Sequence, residues 1–513
     1  MPYIGLLDVS GIQDYLFRSP RLRHIAAASE RIERLSGPEG LFAAAATGSV
    51  RLHVGAGGIA VYTASCEGDL QSTFRAVSRE LLEKGHGLEV VGAICAYQDG
   101  ALGRTYRWQA VPALERNKLT QPRSTRFVFS GLTDPRRRSD QGAGAPAGGG
   151  PLIDPLELDE MICTGGWVRD GRDAESSVER TGLMAVVSVD GLGMGRKLLE
   201  WLSSAEHLAD EAFVSQFHSW SEHVKAVWHD AWSATCRLVD GLFPEPEYRH
   251  RHPYQHDRYI ELHKACVTSG KGAPQRYRPY RRVYQGGDDL SFVCDARIAL
   301  GMTAALVRGL QLRSGTSEPQ VPEAFRTMAV SAGVVFVDSH FPFSRAVRMA
   351  GEVRQSAKMK AMEHDHDRPS SHLDWWLNRQ GALWREERRF SVKPVPLVGE
   401  GYALGEVDWQ AMEQTVLAGM WEQFGDKRNK LKDLVAAAED GPETVRDLLK
   451  TRPLPEKQLC CLPTGFDSES GFWQERCTPL IDAGELFDIH FPFAAAGEAA
   501  QGTEAPDARN AAH

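Results

Sequence analysis

RRVYQGGDDLSFVCD, residues 281–295, sets two glycines and two aspartates between two short apolar runs. The pattern reads as a β-hairpin whose tip is Gly286, Gly287, Asp288 and Asp289. Two glycines allow the positive φ values of a tight connection and leave no side chain where a phosphate would approach the backbone. Adjacent carboxylates repel, and each raises the pKa of the other unless a cation neutralises them. Hard divalent cations held by oxygen are the usual remedy, so the tip reads as a site for Mg²⁺ or Mn²⁺.

Upstream, LMAVVSVDG (183–191) is a nearly continuous apolar run ending in Asp190 and Gly191, as a buried central strand would end. Asp190 is placed to add a third carboxylate. Three acids from two adjacent strands can hold two metal ions about 4 Å apart, one activating a ribose 3′-hydroxyl and the other clamping a triphosphate for in-line displacement. Lys358, in VRQSAKMKA (353–361), follows the next strand and can meet the distal phosphates as a point charge. QRYRPYRR (275–282) is basic and aromatic and can meet phosphates or stack on RNA bases, although a solvated flank is the plainer reading.

Around the hairpin the periodicities give a helix at about 195–240, a helix at about 296–312 and the apolar strand TMAVSAGVVFVD (327–338). A further helix follows, with Val347, Ala350, Val353 or Arg354, and Ala357 at helical spacing. The order β-α-ββ-α-β-α is that of a ferredoxin-like sheet with helices on one face. Residues 1–133 repeat the plan. IGLLDVSGIQ (4–13) parallels VVSVDGLGMG (186–195), and RLHVGAGGIAVYTAS (51–65) parallels RVYQGGDDLSFVCDA (282–296). Gly57-Gly58 then stands at Gly286-Gly287, and Ile59 and Ala60 stand where the hairpin acids are, which makes the first copy a chemically silent duplicate.

The fold class is therefore α+β, with two tandem ferredoxin-like palm domains and a mainly helical C-terminal domain. The expected divisions are a first palm at 1–133, a linker at 134–180 containing DPRRRSDQGAGAPAGGG, and a second palm at 181–368 with a helical insertion at about 201–282. A C-terminal domain at 369–493 and a disordered tail at 494–513 complete the chain. Across 513 residues, 42% hydrophobic content can supply several cores, and a net charge of −9 argues against coating nucleic acid through bulk charge. No leader or membrane-spanning run is evident, so the cytoplasm is the expected location. Nine cysteines form no C-x-x-C pair, which indicates reduced thiols and no zinc. EHDHD (363–367) and HRHPYQH (250–256) read as polar loops rather than ligand sets.

Several blocks in order carry a resemblance: DVSGIQDYLF and RLRHIAAASERIERL in the first copy, then VVSVDGLGMGRKL, VYQGGDDLSFV and SAGVVFVDSHFPFSRAVRMAGEVRQSAK in the second. Together they resemble the large polymerase-cyclase subunit of type III CRISPR effector complexes, and more distantly the diguanylate cyclases with GGDEF hairpins. The resemblance implies conversion of ATP into cyclic oligoadenylate messengers, with guide and target RNA and other CRISPR effector subunits as partners. It implies Asp190 and Asp288 as the main metal ligands, Asp289 assisting the second metal or the attacking hydroxyl, and Lys358 holding the triphosphate. Gly191, Gly286 and Gly287 would shape the nucleotide site, and Ser29 with the Gly57-Gly58 turn would face a second nucleotide in the first palm. Two departures stand out. Leu192 occupies the second position of the family's D-x-D strand motif when Asp190 is the first, whereas a shifted alignment puts Ser188 first. The HD nuclease domain and the C-x-x-C zinc element are not expected, so DNA cleavage is not either. A catalytically silent scaffold and a cyclic dinucleotide synthase are the competing readings.

Overall fold

The computed structural model describes residues 1–120, 182–243, 249–314, 328–364, 370–378, 389–398 and 407–493, leaving aside 18, 20–21, 37–38, 57, 84–87, 256–257, 263–264, 267–274 and 455–457. Between 120 and 182 it describes Asp154, Gly166–Arg169 and Val178–Glu179. The linker stretch at 134–150 and the tail at 494–513 lie outside the described residues.

Two units follow one plan. In the first, β1 (Tyr3–Ser10), β2 (Arg51–Ala56), β3 (Ile59–Ala64) and β4 (Glu89–Ala96) form an antiparallel sheet in the order β2-β3-β1-β4. Its longer helices are α1 (Leu22–Ser36), α2 (Glu67–Glu83) and α3 (Val111–Thr120). In the second, β5 (Leu183–Gly191), β6 (Tyr280–Gly286), β7 (Asp289–Asp295) and β8 (Val330–Asp338) repeat the order as β6-β7-β5-β8. Here β9 (Ser371–Leu377) and β10 (Val395–Val398) add two more strands, so this sheet runs past residue 368. The helices are α4 (Met194–Ala205), α5 (Asp210–Leu242), α6 (Ala299–Ser314) and α7 (Phe343–His364). The fold is α+β, two tandem ferredoxin-like units followed by a mainly helical region that includes α8 (Arg428–Asp440), α9 (Pro442–Thr451) and α10 (Pro479–Leu486). Lys393, its side chain 1% exposed, ties that region down by reaching Asp482 at 3.4 Å and lying over the Trp375 ring. No helix among the described residues is long and apolar enough to cross a membrane.

The apolar run of β5 is explained by burial on both sheet faces, where the sequence pattern gave helices on one. Ala185, Val187 and Val189 share a core with Trp228 of α5 and Leu306 of α6, while Met184 and Val186 share another with Ala346, Ala350 and Val353 of α7. A strand covered on both faces has no polar alternation to show.

The duplication is visible in the backbone. Pairing shifts at a bulge between Leu52 and Val54 in the first hairpin and between Arg282 and Tyr284 in the second. Each hairpin closes on a two-residue turn, with Ala56 opposite Ile59 and Gly286 opposite Asp289. The same hydrogen bond caps both: Val9 N donates to Gly58 O at 2.9 Å, and Gly191 N to Asp288 O at 2.8 Å. These features align Ala56 with Gly286, Gly58 with Asp288 and Ile59 with Asp289. That is one residue away from the alignment taken from the glycine pairs, because the turn geometry, not glycine identity, sets the register. Asp8 lies opposite Ile59 as Asp190 lies opposite Asp289.

The units also exchange side chains. Leu22 and Ile25 of α1, both 0% exposed, belong to the core of the second unit, and Tyr284 of β6 belongs to the core of the first. Each fully buried aliphatic side chain contributes about 1.5–3 kcal/mol, so this contact is a folding interface.

Candidate active site

Asp190 is the penultimate residue of β5, with Asp289 opposite it on β7 and Ser331 opposite it on β8. A Cβ built on Gly191 would stand 3.1 Å from Asp288 Oδ2, so the bare glycine lets the turn carboxylate lie against the strand end. Gly287 takes φ +54, the left-handed region that glycine enters without strain. Gly286 is not among the positive-φ glycines, so the two glycines of the motif do not share the conformational role read from sequence.

Asp190 faces two cations one helical turn apart on α7. Lys358 Nζ donates to its Oδ2 at 3.1 Å, and Arg354 reaches its Oδ1 at 3.4 Å. The hairpin acids are less well compensated. Burial, then the charge of Asp190, pushes the Asp288 carboxyl up to about 6. Burial, then Asp288 and Asp190, pushes Asp289 up to about 7. Asp289 Oδ1 is buried and has no hydrogen-bond partner among the described residues. As the side chains stand, no group of three or more His, Cys, Asp or Glu side chains among the described residues is gathered closely enough to hold a metal ion. The chemistry of the donor set nevertheless fits a hard cation: an orphaned carboxylate oxygen and two upward shifts both mark negative charge short of a counterion.

Ser29 is buried on α1 and lines a cavity of about 480 Å³ together with Glu33, Trp232, Asp240, Arg278 and Arg282; the three acids are not in its walls. Gly57 lies outside the described residues, while Gly58 takes φ +90 in the first hairpin's turn. QRYRPYRR is engaged within the chain. Arg278 pairs with Asp154 at 2.8 Å, the Tyr280 hydroxyl donates to Asp240 at 2.9 Å, and Arg282 reaches Glu33 at 3.4 Å across the two units. In HRHPYQH, His252 is 0% exposed and stands edge-on to Trp421 with centroids 4.6 Å apart, so its role is packing. Residues 365–367 of EHDHD lie outside the described residues. Cys66, Cys95, Cys236, Cys294, Cys460, Cys461 and Cys477 form no disulfide, and of these Cys294 and Cys461 are buried.

The sequence reading passed over Arg354 as a site residue, and also Asp8 and Lys118. Lys118 on α3 holds Asp8 at 2.7 Å. Asp8 pairs with Val91 on β4 and Asp190 with Ser331 on β8, and each lysine follows its paired residue by 27 positions, 91 to 118 and 331 to 358. The first copy therefore lacks the hairpin acids but keeps the strand acid and its lysine. That spacing was in the sequence, but it has no meaning until the registers are known. Leu192 is 1% exposed, and its N–H donates to Ala329 O at 2.8 Å, so the second D-x-D position is part of the core.

Residues 183–366 match the family model described as Cas10/Cmr2, second palm domain. No curated protein matches the chain. Among solved structures, the apo Csm1–Csm4 cassette matches at 14% identity and TM-score 0.50, covering 96% of this chain and 70% of that one. The Csm1–Csm4 cassette in complex with one ATP matches at 15% identity, TM-score 0.50 and the same coverage. At such identity the likeness is one of fold.

Proposed function

We propose that the chain is a nucleotidyltransferase that joins ATP, or another nucleoside triphosphate, into a cyclic oligonucleotide messenger for CRISPR-type antiviral defence. The observation that carries this reading is the hairpin-borne pair Asp288 and Asp289 set against Asp190, with Lys358 and Arg354 beside them, inside the segment that matches the Cas10/Cmr2 palm. Support comes also from the similar fold of a cassette captured with ATP.

In this reading a ribose 3′-oxygen attacks an α-phosphorus, the bond to the bridging oxygen of the β-phosphate breaks, and pyrophosphate leaves. Asp190, Asp288 and Asp289 would hold Mg²⁺ or Mn²⁺, which supplies charge neutralisation and a more acidic hydroxyl. Asp289 accepts the hydroxyl proton, and Lys358 moves from Asp190 onto the triphosphate as a point charge. The first unit seats the second nucleotide, with Ser29 in the adjoining cavity. RNA and other effector subunits are the proposed partners.

The test is incubation of the purified chain with each radiolabelled triphosphate and Mg²⁺ or Mn²⁺, with and without RNA, resolving products by chromatography and mass. A metal-dependent cyclic product that vanishes in Asp288→Ala/Asp289→Ala is expected. Absence of product under every condition moves the reading to a scaffold, for which the core position of Leu192 speaks.

A further inference from the structure

Tyr284 and Gly286 form a pair that the hairpin fold does not require. In the first hairpin the aligned positions hold Val54 and Ala56, with the same bulge and an equivalent closing pair. Residues two apart on a strand project to the same face. A Cβ added to Gly286 would overlap the Tyr284 hydroxyl and lie 2.9 Å from its Cε1. Gly286 is thus needed for space, and the first copy, having valine in place of tyrosine, accommodates alanine.

The ring lies along its own strand toward the turn, with its hydroxyl where a side chain of Gly286 would stand. The ring is 9% exposed and packs in the first unit's core with Leu7 and Val9. Asp289 and Asp288 from the second unit and Glu33 and Asp8 from the first surround it, and a tyrosine hydroxyl is a donor at neutral pH. A hydroxyl held by a packed ring, among acids from both units, is placed to donate to a group that enters beside the hairpin tip.

We propose that Tyr284 is a substrate-binding residue of the hairpin, its hydroxyl donating to an oxygen of the nucleotide held between the two units, with Gly286 kept bare to admit it. This rests on the nucleotide reading given above. The experiment is calorimetric titration of the full chain, in Mn²⁺, with α,β-methylene analogues of the four nucleoside triphosphates, alongside a melting curve for each variant. Tyr284→Phe keeps the ring and removes only the donor; about tenfold weaker binding at an unchanged melting temperature is expected. Equal affinity overturns the proposal for Tyr284 alone, whereas failure of the unaltered chain to bind any analogue overturns the nucleotide reading and the proposal with it. Gly286→Ala should weaken binding as much as Tyr284→Phe does, yet add nothing in a Tyr284→Val background, which restores the first hairpin's pair. Losses that simply add, or a neutral Gly286→Ala, overturn the spatial argument.

Discussion

The first hairpin and the second share their pairing register and differ in charge and in the backbone of the turn. Both have the bulge, the two-residue turn and the capping hydrogen bond from the neighbouring strand. Both strand ends keep an aspartate held by a lysine, Asp8 by Lys118 and Asp190 by Lys358. Near the tip they differ in the side chains that carry the chemistry, Val54, Ala56, Gly58 and Ile59 standing against Tyr284, Gly286, Asp288 and Asp289. The strand register is thus common to both copies, while the chemistry lies in a handful of side chains, some of which the local backbone and packing of each copy admit and the other's do not. The lysine and strand aspartate belong to the shared scaffold, so their presence alone does not mark an active copy.

The sharpest way to break this comparison is to treat the two strand acids alike. Asp190→Asn should abolish product formation in the triphosphate assay, whereas Asp8→Asn should leave turnover measurable; equal losses would mean that both copies act. Next in size, Lys358→Ala should lower kcat/KM about 10- to 100-fold, the scale of a lost hydrogen bond to a charged group. Lys118→Ala should act on KM for the second nucleotide and by less than that, as steady-state kinetics would show.

Rebuilding the acids in the first hairpin sharpens the comparison on the stability side. Ile59 is 43% exposed but lies opposite Asp8, so Ile59→Asp should destabilise by about 1 kcal/mol or less through like-charge repulsion. Gly58→Asp should cost about 1–3 kcal/mol by denaturant unfolding, because φ is +90 there and a Cβ would stand 2.8 Å from Ile12 Cδ1. Asp288 carries no such penalty: the left-handed residue of its turn is Gly287, one position earlier.

The smallest effect is on pH dependence. Asp288 and Asp289 bind protons more tightly folded than unfolded, so in the metal-free chain their contribution to stability is greatest in acid and falls as pH rises from about 4 through 6 and 7. The melting temperature of the metal-free chain should fall by a few degrees across that window relative to Asp288→Asn/Asp289→Asn. Added Mg²⁺ should remove the difference above pH 7 and lose its effect below about 6, as scanning calorimetry would register.

Much of this was legible in the order of residues. The apolar run ending in Asp190, the glycine-tipped hairpin and the helix bearing Lys358 are local patterns, and local patterns survive into the fold. What escaped the sequence depends on packing between distant segments. Arg354 fits a helical apolar spacing as well as Val353 does, and only the placement of α7 over β5 turns it toward Asp190. Lys118 and Asp8 are 110 residues apart in the chain. Closing pairs rather than glycines set the register, Ala56 with Ile59 and Gly286 with Asp289, so matching glycine to glycine slips by one. Gly286 looks like turn chemistry until the ring of Tyr284 is seen to occupy its missing side chain.

Leu22 and Ile25 in one core and Tyr284 in the other make the duplication hard to reverse. Deleting the first copy would strip the second of two buried aliphatic anchors and leave Tyr284 without its slot, so neither half is a heritable unit by itself. Selection acting on the acids of one hairpin is therefore also selection for the folded body of the other, whose own tip is free to drift.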